Sequence, residues 1–256
     1  MSALLEVRNV TKSFGGLTAV GNVSFDVAAG SVVGLIGPNG AGKTTTFNLI
    51  TGNYRVDRGT IRFEGRPLER MRTHRIVQAG IARTFQNVRL FQQLSAVENV
   101  LAGRHCRTRS GLVGALFRPP WQVREEREAA ARAVDELAFV GLRDRAMELA
   151  TNLAYGDQRR LEIARALAAD PKLLILDEPA GGMNEQETEE LIGLIGRIRA
   201  RGITILLIEH DMSLVMRACE HIVVLEYGEK IAEGPPASIQ ANPRVIEAYL
   251  GTEEVA

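Results

Sequence analysis

The stretch that most limits how this chain can fold is GLIGPNGAGKTTTFNLITG, residues 34–52. Residues 37–44 match the pattern Gly-x-x-x-x-Gly-Lys-Thr and stand between an apolar, strand-like run and a helix-like run. In that setting the loop turns its backbone N–H groups towards phosphate oxygens, and the following helix adds the positive end of its dipole. A Gly-rich turn without a ligand is the alternative, but eight positions in register favour a phosphate-binding loop in an α/β fold.

Each residue type in this loop has a chemical reason. The glycines let the backbone turn tightly and approach the phosphates. Lys43 can reach the β and γ phosphates, and Thr44 can hold Mg²⁺. The predicted nucleotide-binding residues of the loop are Gly37, Pro38, Asn39, Gly40, Ala41, Gly42, Lys43, Thr44 and Thr45.

Four short runs rich in Val, Ile and Leu indicate the rest of the core. The runs SVVGLIG, KLLILDE, ITILLIEH and HIVVLEY are separated by helix-like patterns, which is typical of buried parallel strands. None approaches the roughly 18 residues of a membrane-spanning helix. They predict a doubly wound α/β sheet. The clearest helix between them is predicted over 185–201, with one apolar face formed by Leu191, Leu194, Ile195 and Ile198.

Two other regions adjoin this core. The segments LLEVRNVTKSF, GNVSFDVAAG and GTIRFEG alternate between apolar and polar residues, which predicts a small antiparallel β layer. Between residues 88 and 169 helix patterns replace the strand signal. We therefore predict one domain, with a helical subdomain at 88–169 inserted into a core of 1–87 and 170–256. Within the subdomain, an irregular excursion is expected at 106–122, and one helix face is expected to contain Ala130, Val134, Leu137 and Ala138.

Charge and cysteine usage exclude several function classes. The 256-residue chain has 31 basic and 31 acidic residues and no long block of one sign, which argues against nucleic acid as a partner and against a polybasic membrane anchor. Cys106 and Cys219 lie far apart and outside any metal-ligand spacing, as is typical of a reducing cytosol. No signal-peptide pattern opens the chain. We expect a globular cytoplasmic protein that reaches a membrane only from its side.

Polar residues follow three of the predicted strands. Asp177 and Glu178 follow an apolar strand, at the edge where ligands bind in open α/β sheets. Asp177 suits the magnesium shell, and Glu178 suits a base that polarises attacking water. His210 follows another strand and can contact the γ phosphate. An acidic pair or a single histidine is also compatible with a structural role, but the phosphate loop at the same edge favours catalysis. From their surroundings alone, Gln86 and Phe14 are an exposed glutamine and a half-buried phenylalanine.

Residues 152–167, NLAYGDQRRLEIARAL, predict a helix directly before the acidic strand. Its buried face is expected to contain Leu161, Ala164 and Leu167. Gly156 lies near the start of this helix, where the absence of a side chain permits close approach to a phosphate.

The order of KSFGG, GPNGAGKTT, TFQ, LAYGDQ, LILDEP and EHD resembles the nucleotide-binding subunit of ATP-binding cassette (ABC) transporters over essentially the whole chain. The resemblance implies a phosphate-loop NTPase (RecA-like) core with an antiparallel β subdomain and an inserted helical subdomain. It implies ATP and Mg²⁺ as cofactors, with Thr44, Gln86 and Asp177 at the metal.

The same resemblance assigns the remaining site residues. Phe14 would stack on adenine, Gln86 would be the lid glutamine that touches Mg²⁺ and the transporter, and His210 would be the switch histidine beside the catalytic Lys43 and Glu178. The signature segment would face the nucleotide of a partner subunit; it consists here of Ala154, Tyr155, Gly156 and Asp157. The family's usual signature sequence is Leu-Ser-Gly-Gly-Gln, so this chain departs from the pattern. It also has Asn184 where the family has an aspartate.

Within the family, four stretches are similar to the LivG-type subunit of branched-chain amino-acid importers: FGGLTAV, RTFQNVRLF, NLAYGDQRRLEIARAL and LLIEHDM. That similarity implies two ATPase subunits, identical or related, that close head to tail over two ATP molecules. They would move two membrane-spanning permease subunits, with a periplasmic-type solute-binding protein as an indirect partner. The chain would then lie peripherally at the cytoplasmic face of the inner membrane.

Three other functions stay open from the sequence. The nearest is the ATPase of another short ABC system, such as lipopolysaccharide export. A soluble cassette ATPase of translation or DNA repair would normally show two cassettes or a long coiled coil, and neither is found here. A phosphate-loop kinase or GTPase is the third, although no Asn-Lys-x-Asp guanine motif is found.

Overall fold

The structure is a computed structural model of the chain that describes residues 3–86, 88–107 and 120–250. Its strands and helices are, in chain order, β1 (Ala3–Phe14), β2 (Leu17–Ala28), β3 (Val32–Ile36), α1 (Lys43–Ile50), β4 (Arg58–Phe63), β5 (Arg66–Pro67), α2 (Thr73–Ala79), β6 (Ile81–Arg83), α3 (Ala96–Arg104), α4 (Pro120–Phe139), α5 (Tyr155–Leu167), β7 (Leu173–Asp177), α6 (Glu185–Ala200), β8 (Thr204–Ile208), α7 (Met212–Ala218), β9 (His221–Glu226), β10 (Glu229–Gly234), α8 (Pro236–Gln240) and α9 (Pro243–Leu250). Most of the excursion expected at 106–122 lies outside the described residues.

The chain divides into two compact units. The first contains Met1–Ile76 and Ile175–Ala256, and the second contains Val77–Leu174. The first unit is therefore discontinuous in sequence, and the second is an insertion between its halves.

The first unit contains an antiparallel sheet with the strand order β2-β1-β4-β5. Strand β1 pairs with β2 from Ala3↔Ala28 to Phe14↔Leu17, and it pairs with β4 on its other side. Alternate residues such as Leu5 and Val7 are fully buried, as period-2 alternation requires for a sheet with one covered face. This sheet confirms the predicted β layer.

A second sheet of the first unit contains the phosphate-loop strand. Its strands in this unit follow the order β10-β9-β3-β8-β7, and β3 pairs in parallel with both β8 and β9. All residues of β3, β7 and β8 are buried, which explains why these strands read as continuous apolar runs. The predicted α/β class is confirmed.

Helix α6 crosses between β7 and β8 as the sequence predicted. Its four expected core residues are all buried. Asn184 is its N-cap: the Asn184 side chain accepts a hydrogen bond from the Glu187 amide, and the Glu187 carboxylate accepts one from the Asn184 amide. Such a capping box satisfies backbone donors that the first turn leaves unpaired, so Asn184 has a clear structural function.

The second unit is built mainly from α3, α4 and α5, which pack on one another. Lys172 and Leu173 both donate backbone hydrogen bonds to Gly80, so β6 lies beside the start of β7. The predicted face of α4 is only partly right. Leu137 is buried as expected, but the helix buries Ala129 and Ala133 beside it, and Ala130, Val134 and Ala138 are not buried. Because residues 129–131 are all alanine, the hydrophobic periodicity of the sequence does not indicate which of them faces the core.

Within the part of the chain that is described, no helix combines the length and the apolar character needed to cross a membrane.

Candidate active site

The phosphate loop connects β3 to α1 in the first unit. Gly37 has a φ of 149°, and a Cβ there would lie 2.1 Å from the carbonyl oxygen of Leu225. At Gly42, where φ is 96°, a Cβ would lie 2.6 Å from the carbonyl oxygen of Ala19. Both positions therefore require glycine, because of the backbone conformation and because neighbouring strands press against the loop.

Lys43 lies at the centre of this loop as the first residue of α1. Its Nζ donates hydrogen bonds to the carbonyl oxygens of Gly37 (2.5 Å) and Pro38 (3.0 Å), and only 6% of the residue is exposed. Burial lowers the pKa of the Lys43 ammonium, while the carboxylates of Glu178 and Asp177 oppose that change. The ammonium is thus held where the loop's backbone curves around it.

The residues that could hold a magnesium ion have suitable chemistry. Thr44 is exposed in the first turn of α1, and Asp177 ends strand β7 with 7% of its surface exposed. Mg²⁺ binds oxygen ligands and typically takes only one or two from the protein, with water and substrate phosphates completing its octahedron. The described residues contain no group of three or more His, Cys, Asp or Glu arranged for a metal.

Glu178 follows β7 in a constrained conformation. Its φ is 46°, in the left-handed region that residues other than glycine rarely occupy. Its amide donates a 2.8 Å hydrogen bond to the carbonyl oxygen of Ile208 at the end of β8. Such outliers concentrate at functional sites, where the surrounding structure enforces them. This hydrogen bond joins the ends of β7 and β8, and it fixes the backbone position from which the Glu178 side chain extends.

His210 follows β8 on the same side of the sheet. Its Nδ1 lies 3.8 Å from Glu178 Oε1, and the histidine side chain is 60% exposed. The predicted partners Lys43, Asp177, Glu178 and His210 all lie in the first unit. The structure brings Glu178 and His210 side by side, and it brings the carboxylates of Asp177 and Glu178 close enough to act on the Lys43 ammonium.

Glu209 is a residue of this site that sequence reasoning missed. It is 1% exposed. Its Oε1 accepts a hydrogen bond from the Ala180 amide (3.0 Å), and its Oε2 accepts one from the His210 amide (3.1 Å). This carboxylate therefore ties the loop after Glu178 to the loop that carries His210. The only sequence signal was an acidic residue directly after the apolar run that forms β8.

Phe14 ends β1 in the antiparallel sheet with 44% of its surface exposed. The Tyr54 ring meets it edge-on, with ring centroids 5.1 Å apart and an interplanar angle of 72°. Lys12 Nζ lies 5.3 Å from the Phe14 centroid. Tyr54 was not predicted, and it holds the phenylalanine ring at the surface, where a planar base can stack on it.

The signature segment lies in the second unit, at the start of α5. Ala154 is the N-cap and makes no side-chain hydrogen bond to the helix, while Gly156 is buried in the first turn. The Asp157 carboxylate lies 2.9 Å from Arg145 Nη1 and 3.5 Å from Arg160 Nη1. The charge of Asp157 is thus balanced within the unit.

Gln86, also in the second unit, follows β6. Its carbonyl oxygen accepts a hydrogen bond from Arg159 Nη2 (2.5 Å). Tyr155 contacts the same arginine: its hydroxyl accepts from Arg159 Nη2 at 2.8 Å. Sequence reasoning found no place for the Tyr155 ring and did not identify Arg159 at all.

The comparisons with known proteins agree with this arrangement. The family described as "ABC transporter" matches residues 20–181, which is more than half of the chain. The chain belongs to the ABC transporter family. Its members bind ATP, and this chain is accordingly an ATPase whose hydrolysis of ATP is coupled to transport. A second description, "Branched-chain amino acid ATP-binding cassette transporter", matches residues 229–255.

Individual relatives cover nearly the whole chain. It is 48% identical to the high-affinity branched-chain amino acid transport ATP-binding protein BraF of Pseudomonas aeruginosa, over 97% of this chain and 98% of that protein. It is 47% identical to LivG of Escherichia coli over the same shares. The lipopolysaccharide export ATP-binding protein LptB of Acidithiobacillus ferridurans is 37% identical over 99% of each chain.

Solved structures give the same family. An ATP-binding cassette of an ABC transporter in its ADP conformation superposes with a TM-score of 0.86 at 32% identity, covering 98% of this chain and 100% of the other. A dimeric bacterial ABC transporter cassette superposes with a TM-score of 0.77 at 27% identity, over 91% of this chain and 98% of the other. The prediction of an ABC nucleotide-binding domain is therefore confirmed.

Proposed function

We propose that this chain hydrolyses ATP to power the uptake of branched-chain or related hydrophobic amino acids. The observation that carries the proposal is the 48% identity to BraF along nearly the whole of both proteins, with the branched-chain description matching 229–255. The lipopolysaccharide export relative is less similar, at 37%. An importer subunit is therefore favoured over an exporter subunit.

The chemistry is proposed for the edge formed by the phosphate loop, Asp177, Glu178 and His210. The loop amides and Lys43 bind the phosphates and neutralise charge that develops on the γ phosphoryl group. The Glu178 carboxylate accepts a proton from, or polarises, the attacking water, and His210 orients the γ phosphate. Thr44, Asp177 and Gln86 would hold Mg²⁺, which would offset the negative charge of the phosphates.

A second ATPase subunit, another copy or a relative, would complete the site. In this proposal the start of helix α5 faces the partner's ATP, with Gly156 permitting the close approach and the helix dipole favouring the γ phosphate. The N-cap Ala154 makes no side-chain hydrogen bond to the first turn of the helix, which supports this proposal. The protein of the dimeric cassette structure assembles as a dimer, which agrees with head-to-tail closure over two nucleotides.

The remaining partners follow from the importer function. Two membrane-spanning permease subunits would bind the chain at the cytoplasmic face of the inner membrane, where it would lie peripherally. A periplasmic-type solute-binding protein would deliver the amino acid to those subunits. No nucleic acid takes part in this function.

Two variants test the ATPase site. Lys43→Ala removes the phosphate-binding charge, so ATP binding and turnover should be lost together. Glu178→Gln keeps the shape but removes the base, so ATP binding should persist while hydrolysis falls by about 10²- to 10⁴-fold. Glu64→Gln is the matched control, because Glu64 also has a left-handed backbone, with a φ of 49°, in a turn outside the site. Wild-type hydrolysis by Glu178→Gln would show that another group activates water.

The substrate is tested in the assembled transporter. The chain is copurified with its membrane subunits, placed in vesicles and supplied with ATP, and the uptake of radiolabelled leucine is measured. Leucine uptake that disappears with Lys43→Ala supports the proposal. Membrane subunits that move no branched-chain amino acid but extract lipopolysaccharide would overturn it.

A further inference from the structure

A buried arginine connects the signature helix to the segment that carries Gln86. Arg159, in the second turn of α5, is 4% exposed. Its Nη1 donates a 2.8 Å hydrogen bond to the carbonyl oxygen of Phe85, and its Nη2 donates a 2.5 Å hydrogen bond to the carbonyl oxygen of Gln86. The planar guanidinium thus grips two successive carbonyls, which a lysine ammonium could not do with the same geometry.

Tyr155 orients this guanidinium. Its hydroxyl oxygen accepts hydrogen bonds from Arg159 Nε (3.1 Å) and Nη2 (2.8 Å), and Arg159 Cζ lies 5.3 Å from the centroid of the tyrosine ring. The Tyr155 hydroxyl therefore binds the Nε–Nη2 edge of the guanidinium, while Nη1 and Nη2 bind the two backbone carbonyls. Glycine, which the family has at this position, could make none of these contacts. Tyr155, which replaces the family's glycine in the signature segment, thus has a defined structural effect.

Glu162 completes the arrangement one turn further along α5. It is 1% exposed, and its Oε2 lies 3.8 Å from Arg159 Nη1. Its Oε1 lies 3.4 Å from Arg165 Nη2 and accepts a 3.4 Å hydrogen bond from the Arg89 amide. Arg165 Nη1 donates to the Arg89 carbonyl oxygen. Burial raises the pKa of the Glu162 carboxyl, and Arg165 and Arg159 oppose that change.

Such a charged cluster is a poor way to stabilise a helix. Buried ion pairs lose solvation, and apolar residues of similar volume are often equally or more stable in their place. What these side chains do specify is position, because each of them contacts the backbone of Phe85, Gln86 or Arg89, or holds a side chain that does so. We call Tyr155, Arg159, Glu162 and Arg165 the lid clamp.

We propose that Tyr155 and Arg159 are positioning residues that fix the backbone at Gln86 to the first turns of the signature helix, so that the two segments move as one body during ATP turnover. This inference rests on the proposed ATPase function. A shift of Gln86 towards or away from nucleotide is then transmitted to Gly156 through two side chains, without any change in the fold of the second unit.

A double-mutant cycle in the complete transporter tests the clamp. Tyr155→Phe keeps the ring and removes the hydroxyl, so it should lower kcat for ATP roughly tenfold, the scale of one hydrogen bond to a charged group. KM for ATP should change less than twofold, because Tyr155 is not proposed to touch the nucleotide of its own subunit. Arg159→Gln should lower kcat further, and the double variant should lose no more than Arg159→Gln alone, since both residues act through one contact.

The controls separate positioning from misfolding. Arg124→Gln removes another arginine of the second unit, one whose side chain is 79% exposed, and should leave kcat unchanged. Arg159→Gln leaves Glu162 with one fewer cation and can lower stability, so Tyr155→Phe, checked by an unchanged thermal midpoint, is the decisive variant. Hydrogen exchange at the Arg89 amide should accelerate in Arg159→Gln.

The outcomes distinguish this inference from the function on which it rests. Wild-type kcat in Tyr155→Phe, or losses that simply multiply in the double variant, would overturn the clamp while the ATPase function stands. If the wild-type transporter hydrolysed ATP no faster than Lys43→Ala, both proposals would fall.

Discussion

Replacing Glu178 with glycine should separate the catalytic role of the side chain from the strain in its backbone. The left-handed conformation at Glu178, with a φ of 46°, costs a residue with a Cβ about 1–2 kcal/mol. Glycine avoids that cost but loses about 0.5–1 kcal/mol through the greater freedom of the unfolded chain. The net effect of Glu178→Gly is therefore a gain in unfolding free energy between about 0 and 1.5 kcal/mol.

The same substitution removes the proposed base. Hydrolysis should fall by about 10²- to 10⁴-fold, or roughly 3–5 kcal/mol of transition-state stabilisation. The variant would thus be inactive but no less stable than the wild type. Urea-induced unfolding, followed at several temperatures, measures the stability, and phosphate release at saturating ATP measures the activity.

Two variants provide the comparison. Glu178→Ala keeps the steric cost and should be less stable than Glu178→Gly by about 1 kcal/mol, with the same loss of activity. Glu64→Gly removes the same kind of strain in the turn between β4 and β5, so it should gain stability and keep full activity. The reasoning is refuted if Glu178→Gly is the least stable of the three, because the backbone at Glu178 would then carry no strain to relieve.

Three further predictions concern other residues. Phe14→Ala should weaken ATP binding by roughly 1 kcal/mol, the scale of an aromatic stack, and Phe14→Tyr should restore it in a nucleotide titration. Gly156→Asp should leave ATP binding by the isolated chain nearly intact but abolish turnover in the transporter. Ala154→Ser should stay active and gain about 1 kcal/mol of unfolding free energy from a new N-cap. Full turnover by Gly156→Asp would show that the signature segment has no function in this chain. Burial, with smaller effects from neighbouring glutamates, raises the pKa of the Cys219 thiol to about 12, so iodoacetamide at pH 8 should label it only in urea. Labelling of Cys219 in the native protein would contradict its burial.

The sequence predicted which residues lie together wherever those residues are close along the chain. Glycines, Lys43 and Thr44 lie within one loop, and Asp177 and Glu178 follow one apolar strand, so motif and periodicity were enough. Glu209 escaped prediction because its partner, the Ala180 amide, is 29 residues away. The role of Tyr155 depends on Arg159 reaching the Phe85 carbonyl, 74 residues earlier in the chain, and no periodic pattern encodes that contact.

Fold prediction failed where hydrophobicity is uniform. Helix α6 was predicted with its correct face because Leu and Ile alternate with charged residues there. In α4 the alanines at 129–131 all have the same side chain, and tertiary packing alone selected Ala129 for burial. The sequence analysis noted Asn184 only as a departure from the family's aspartate. It did not predict Asn184 as the cap of α6, although asparagine is a preferred N-cap residue.

The discontinuity of the first unit affects how the protein is synthesised. Strand β3 pairs only with later parts of the chain among the described strands, for example Val32 with Ile205 and Val33 with His221. At a translation rate of about 5–20 residues per second, the phosphate-loop strand leaves the ribosome roughly 9–38 seconds before its neighbours do. During that interval the antiparallel sheet and the inserted helices can form, but the apolar strand β3 has no described strand to pair with. Nascent-chain protection is therefore needed most at the segment that later holds ATP.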